Sequence, residues 1–292
     1  MNGVINVFKN KGMTSFDVVR KIKKIANTGK VGHTGTLDPE ATGVLPICIG
    51  RATKIIDYIM NSEKVYVVEF KLGVKTTTYD LEGDITEEMD PTHLSYEEIL
   101  KAVNDFKGGY LQVPPMYSAL KQNGVRLYTL ARQGIKVERE GRPITIYNIE
   151  DIEINNPYVK MKVTCSKGTY IRSLCYDIGE VLNVGATMSD LKRSKTSVFE
   201  EGESINIEDL TEENIGNYII SIEEALQMYS KLTVSNDYTK LLINGVRLCD
   251  NRFTKDTVII DKLYRVYDED DNFIGLGKKD DRGFKIQKLL NN

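Results

Sequence analysis

The chain reads as an α+β protein with a small β-rich domain at its C-terminal end, on three observations. Alternating or continuous apolar runs read as strands, and segments with apolar residues at helical spacing lie between them. After about residue 230 the pattern changes to short strands separated by turns. The 292 residues, 41% hydrophobic and 28% charged, suffice for one full core and a second, smaller one. The expected division is therefore 1–230 and 231–292.

Taken in order, GVINVF at 3–8 predicts a first strand. Thr14 or Ser15 then caps a helix in which Phe16, Val19, Ile22 and Ile25 recur at helical spacing, ended by Asn27 and Gly29. Residues 30–43, KVGHTGTLDPEATG, are crowded with glycine and threonine and predict a loop. GVLPICIG returns as a buried strand and RATKIIDYIM as a short helix. Tyr66, Val68, Phe70 and Leu72 alternate with Val65, Val67, Glu69 and Lys71, the pattern of a strand with one buried face. Ser95, with Glu98 three residues on, has the form of a capping box, opening an amphipathic helix through Leu100, Val103 and Phe106. Residues 121–143 are basic, polar, turn-rich and short of apolar anchors, which predicts a mobile flap. ITIYNIEDIEI and YVKMKVTCS predict strands, and TYIRSLCYDIGEVL a helix with Ile171, Leu174, Ile178 and Val181 on one side. The acidic stretch 198–215 predicts a linker or cover, and DTVIID, LYRVYD, NFIGLG and GFKIQK the strands of the last domain.

The net charge of −3 conceals a segregated distribution. Residues 1–75 hold 12 Lys/Arg against 6 Asp/Glu and 111–197 hold 13 against 8, whereas 76–110 hold 2 against 9 and 198–230 hold 0 against 9. Two acidic blocks thus mask two basic ones, and a phosphate backbone responds to the local field rather than to the overall charge. The four cysteines are scattered without a CxxC pair, and His33 and His93 are the only histidines, so no metal site is expected. No apolar run is long enough for a membrane helix and no secretion signal opens the chain, which predicts a cytoplasmic protein. No GxSxG elbow, Walker phosphate loop or dinucleotide fingerprint is present.

What remains is one carboxylate in an unusual place. Asp38 stands in GHTGTLDP, in a loop between a helix and a strand. An Asp before a proline commonly caps a turn; equally, small neighbours let a ligand approach closely. A second segment, CSKGTYIR, puts Arg172 in the first turns of a helix, where it is either a surface arginine or a partner that keeps a carboxylate ionised. Tyr66, in a strand face with Val68 and Phe70, reads first as a core residue. His33, in a glycine-rich loop, is expected to be exposed.

The run GHTGTLDPEATGVLPICIG at 32–50 resembles the catalytic motif of the TruB family of tRNA pseudouridine synthases. KNKGMTSFDVV at 9–19, YVVEFKLGVKTTTYDLEG at 66–83, PPMYSALKQNGVRLY at 114–128, CSKGTYIRSL at 165–174 and LKRS at 191–194 resemble further segments of that family, in the same order. The resemblance implies a mixed, largely antiparallel sheet flanked by helices, with a PUA-like appendage after about 231, supported there by INGV and FIGLG. It implies conversion of uridine 55 in the tRNA T-loop to pseudouridine, by a monomer, with no cofactor and no metal. Asp38 is then the nucleophilic aspartate, Arg172 its partner, Tyr66 the ring stacked on the target uracil, and His33 the residue that fills the T-loop. Tyr170 and Leu191 line the substrate pocket. An inactive RNA-binding protein, or a synthase acting on ribosomal RNA or other uridines, are the alternative classes. The guide-RNA branch of the family normally carries a longer C-terminal module.

Overall fold

In the computed structural model, which describes residues 1–290, one large sheet runs through the first part of the chain and a second, four-stranded sheet closes it. The spatial order of the main path is Ile205–Asn206, Gly3–Lys9, Thr42–Ile49, Ala186–Thr196, Lys64–Leu72, Tyr158–Cys165, Arg142–Asn155 and Gly108–Gln112. Two pairs in this path are parallel, Gly3–Lys9 with Ile205–Asn206 and Thr42–Ile49 with Ala186–Thr196, and the rest are antiparallel. The sheet is thus mixed and largely antiparallel, as the resemblance implies.

The period-2 strand is where the alternation places it. In Lys64–Leu72 the residues Tyr66, Val68, Phe70 and Leu72 are buried and lie in one apolar cluster with Leu191, Leu174 and Ile178. Helix Ser15–Ile25 starts at a capping box between Thr14 and Asp17. Its buried stripe is Ser15, Val18, Val19 and Ile22, whereas Phe16 is exposed beneath the Arg20 guanidinium. In Tyr96–Asn104 Val103 is buried as expected, with Ile99 and Ala102 beside it, while Leu100 is only half-buried. Helix Ile171–Val181 buries Ile171, Leu174 and Ile178 but leaves Val181 out.

Two expectations are corrected, and one open alternative, linker or cover, is decided. The 30–43 segment is not all loop, because Val31–His33 pairs with Thr42–Ile49, and His33 is half-buried rather than exposed. The acidic stretch acts as a cover: Ile205 pairs alongside the first strand, and Ile207, Leu210 and Ile215 join the core. In the last domain DTVIID forms no strand and leaves Ile259 and Ile260 exposed. The fourth strand is Ser230–Thr233, parallel to Leu263–Tyr267, and helix Asn236–Ile243 lies between them in sequence. That sheet has its own cluster, including Leu232, Leu242, Phe253, Val266 and Phe284. Leu276 and Leu290 pack instead with Val44, Phe199 and Leu226 of the first part. Among the described residues no helix is long and apolar enough to cross a membrane.

Candidate active site

Three adjacent central strands converge on the glycine- and threonine-rich loop. The loop leads into Thr42–Ile49, whose neighbour Ala186–Thr196 carries Leu191 and Arg193, and the next strand carries Tyr66. Arg193 pairs in register with both Gly43 and Tyr66, and Leu191 with Val68. Gly43 has φ +110°, and a Cβ there would lie 2.2 Å from the Arg193 carbonyl oxygen, so only glycine permits this approach.

Buried polar groups hold the loop. Ser15 Oγ donates to the Leu37 carbonyl at 3.1 Å and accepts the Leu37 N–H at 2.9 Å. Lys9 is fully buried, and its ammonium donates to the carbonyls of Asn10, Met13 and Pro39 at 2.8–2.9 Å. Burial lowers its pKa to about 8 against the opposing charges of Asp38 and Glu40. Arg193, 1% exposed, donates from Nε to the Val44 carbonyl at 2.8 Å and from Nη2 to the Gly35 carbonyl at 3.1 Å. Residues 35, 37 and 39 are thereby all tethered by side chains from outside the loop.

Between these tethers stands Asp38. Arg172 meets it with two nitrogens, Nε at 3.0 Å from Oδ2 and Nη2 at 3.2 Å from Oδ1. The same guanidinium donates to the Thr78 carbonyl at 3.2 Å, to Asp80 Oδ2 at 3.3 Å and to the Tyr117 carbonyl at 2.9 Å. The Arg172 side chain is 6% exposed, while that of Asp38 is 38% exposed, so the carboxylate faces an opening whose floor is closed. Desolvation pushes the Asp38 carboxyl above its ordinary value, Arg172 pulls it down, and the Asp80 charge adds to the rise.

Of the remaining expected residues, Tyr66 and Tyr170 stand close enough to feel the Asp38 charge. Tyr66 is 8% exposed; burial raises the pKa of its hydroxyl, opposed by the nearby Arg193 guanidinium. Tyr170 precedes the Ile171–Val181 helix, and its pKa is likewise raised by burial, with Ser118 and Arg172 opposing. Leu191 is buried in the cluster that also holds Tyr66, Leu37 and Ile171. His33 accepts the Gly35 N–H through Nδ1 at 3.2 Å, and burial together with the Arg193 charge lowers its pKa, which keeps the ring neutral at pH 7. Among the described residues no group of three or more His, Cys, Asp or Glu is placed to hold a metal ion.

Sequence reasoning missed Asp80, Lys9, Arg193 and the Tyr117 carbonyl. Asp80, Arg193 and Tyr117 lie within the quoted segments YDLEG, LKRS and PPMYSAL, and Lys9 is a lysine at the end of a mainly apolar strand, which were the available signals. The segment expected as a featureless flap holds a tiny hairpin, Lys121–Gln122 with Val125–Arg126, and the helix Leu127–Arg132. The guanidinium groups of its Arg126 and Arg132 lie 5.8 and 5.5 Å from the centroid of the Tyr128 ring.

The model of the TruB family pseudouridylate synthase N-terminal domain matches residues 23–171, and that of the tRNA pseudouridylate synthase B C-terminal domain matches residues 172–227. A Clostridium perfringens (strain SM101) protein named tRNA pseudouridine synthase B is 62% identical over 291 residues, 99% of each chain. One of the same name from Clostridium tetani is 57% identical over 290 residues, 99% of this chain and 100% of the relative. Among solved structures, a Cbf5–Nop10–Gar1 complex matches with a TM-score of 0.76 at 29% identity, over 98% of this chain and 84% of the other. An H/ACA ribonucleoprotein bound to a substrate RNA matches with a TM-score of 0.74 at 26% identity, over 99% and 85%.

Proposed function

The chain belongs to the TruB family of pseudouridylate synthases, and from that premise we propose that it isomerises uridine 55 in the T-loop of tRNA, with Asp38 as the reacting carboxylate. The observation that carries this reading is the two-point Asp38–Arg172 pair, its guanidinium buried and its carboxylate partly exposed, with Tyr66 and Tyr170 close enough to feel the Asp38 charge. The reaction breaks the C1′–N1 bond, turns the uracil and forms C1′–C5; the proton lost from C5 is balanced by one gained at N1. Nothing is oxidised and no group is added, so the chemistry needs a positioned carboxylate and a cavity that retains a detached base.

Each residue then has a physical task. A nucleophile or base must be ionised, and Arg172 opposes the desolvation that would protonate Asp38. The target nucleotide leaves the folded T-loop at a cost of a few kcal/mol, offset by stacking on the Tyr66 ring. Leu191 and the apolar side of Tyr170 exclude water while the uracil is unattached. His33, neutral and half-buried, fills the space the nucleotide vacates. Asp80 shares the Arg172 guanidinium and fixes the plane in which it meets Asp38.

The basic segments 1–75 and 111–197 supply the phosphate-binding field, with residues 121–143 closing over the RNA and 231–292 as a PUA-like gripping module. The protein acts as a cytoplasmic monomer on the T-arm. Incubation with an unmodified tRNA transcript, followed by carbodiimide-blocked primer extension, tests this. A stop at position 55 is the expected result; an unmodified transcript after incubation would overturn the reading.

A further inference from the structure

We propose that Gln112 is a positioning residue for the reaction at Asp38: its amide, locked in one orientation by Tyr110 and Asp177, sets the start of the helix from which Arg172 grips the carboxylate. The inference rests on the function proposed above.

The helix Ile171–Val181 has no side-chain cap of its own; its N-cap, Tyr170, is extended, with φ −97° and ψ 109°. Gln112, at the end of the edge strand Gly108–Gln112 and 2% exposed, takes the place of a neighbouring strand. Its Oε1 accepts the Tyr170 N–H at 2.8 Å, and its Nε2 donates to the Tyr170 carbonyl at 3.1 Å. The second Nε2 proton goes to the Tyr110 hydroxyl at 2.8 Å, which donates onward to Asp177 Oδ2 at 3.3 Å. Turning the amide over would set an N–H against the Tyr170 N–H and an oxygen against its carbonyl. The chain from Asp177 to residue 170 therefore has one consistent direction.

Residues after Gln112 continue the clamp. Ser173 Oγ donates to the Val113 carbonyl at 3.0 Å, and Arg172 itself donates to the Tyr117 carbonyl. Arg172 is thus bracketed by tethers at 170 and 173, and the Tyr170 ring, a wall of the pocket, rides on the same peptide. The Asp177 carboxylate accepts from the Tyr110 hydroxyl, and its nearby charge, Glu180, is of the same sign. Burial pushes its carboxyl up to about 6, so an ionised acceptor here is less comfortable than an apolar side chain would be. What the carboxylate does is orient Tyr110, and through it Gln112. A shift of about an ångström at Arg172 is enough to lower a reaction rate about a hundredfold.

Single-turnover pseudouridine formation and tRNA binding are measured for wild type, Gln112→Leu, Tyr110→Phe, Arg172→Lys and the Gln112→Leu/Arg172→Lys double variant. Gln112→Leu is expected to slow the step about thirtyfold with tRNA affinity within threefold, and Tyr110→Phe, which keeps the packing, three- to tenfold with an unchanged melting temperature. If Gln112 acts through Arg172, adding Gln112→Leu to Arg172→Lys lowers the rate by less than about threefold. Fully multiplicative losses, or a Tyr110→Phe rate equal to wild type, overturn the inference. An inactive wild type would instead remove the function proposed above.

Discussion

The floor of the cleft and the flap beside it are built on opposite principles. Around Asp38, residues 35, 37 and 39 are tethered by Arg193, Ser15 and Lys9, and the carboxylate is met by a guanidinium with five acceptors. Between residues 119 and 143, Leu127 is the one buried side chain among the described residues, and the ordered features are a two-residue hairpin and a six-residue helix. A reacting group gains from being held before substrate arrives, because reorganisation during the reaction raises the barrier. A surface that wraps RNA gains from remaining adaptable, since few fixed contacts oppose its rearrangement. The floor should therefore govern rate and the flap affinity.

The sharpest way to break that contrast is Asp38→Asn, which keeps the shape but removes the charge. Turnover should vanish while tRNA affinity stays within about tenfold, roughly 1.4 kcal/mol; retention of a tenth of the wild-type single-turnover rate would make Asp38 a turn-capping residue. Next comes Arg172→Lys. An ammonium cannot reproduce the planar two-point contact, so the rate should fall about a hundredfold with little change in binding. A comparable loss in affinity instead would place Arg172 in the RNA grip.

Lys9→Met tests whether the floor is held from below. It leaves three carbonyls without their ammonium, offset in part by relief of the buried charge, and should lower stability by about 2–3 kcal/mol in denaturant titration. An unchanged midpoint would show that the loop stands without it. On the flap, the double variant Arg126→Ala/Arg132→Ala should weaken tRNA binding about tenfold and make the salt dependence shallower by roughly one to two ions, with the rate at saturating tRNA unchanged. A fall in the saturated rate would erase the division between the regions.

The smallest effect is expected behind the floor, at Asp177. Its folded pKa, about 6, lies above the ordinary value of 3.8, so the folded state holds the proton more tightly. The group therefore costs stability progressively as pH rises from about 4 through about 6, after which the cost levels off, an effect reduced by its partial exposure. Asp177→Asn still accepts from Tyr110 and should be about 1 kcal/mol more stable than wild type at pH 7, converging with it below pH 4. Thermal melts across that range decide it, and a variant less stable at pH 7 would contradict the sign.

Local chemistry determined much of this molecule from sequence. The helix cap at Thr14 or Ser15, the capping box at Ser95, the alternation through Tyr66, Val68, Phe70 and Leu72, and the small-residue loop around Asp38 are written over spans of a few residues. Periodicity and capping are interactions between near neighbours in the chain, so they can be recognised before anything is packed. The family resemblance added the pairing of Asp38 with Arg172, but their 134-residue separation is spanned only by the folded sheet and helix. The same holds for Asp80 on the far side of that guanidinium, for the three carbonyls gathered by Lys9, and for Gln112 standing in as a strand beside Tyr170. Tertiary structure also decided what local pattern misassigned, Phe16 and Val181 outside the core and His33 half-buried on a strand, and what it left open, the acidic stretch as a cover with Ile205 beside the first strand. A side chain's neighbours across the sheet follow from strand order and register, and those are set when distant apolar faces bury one another together.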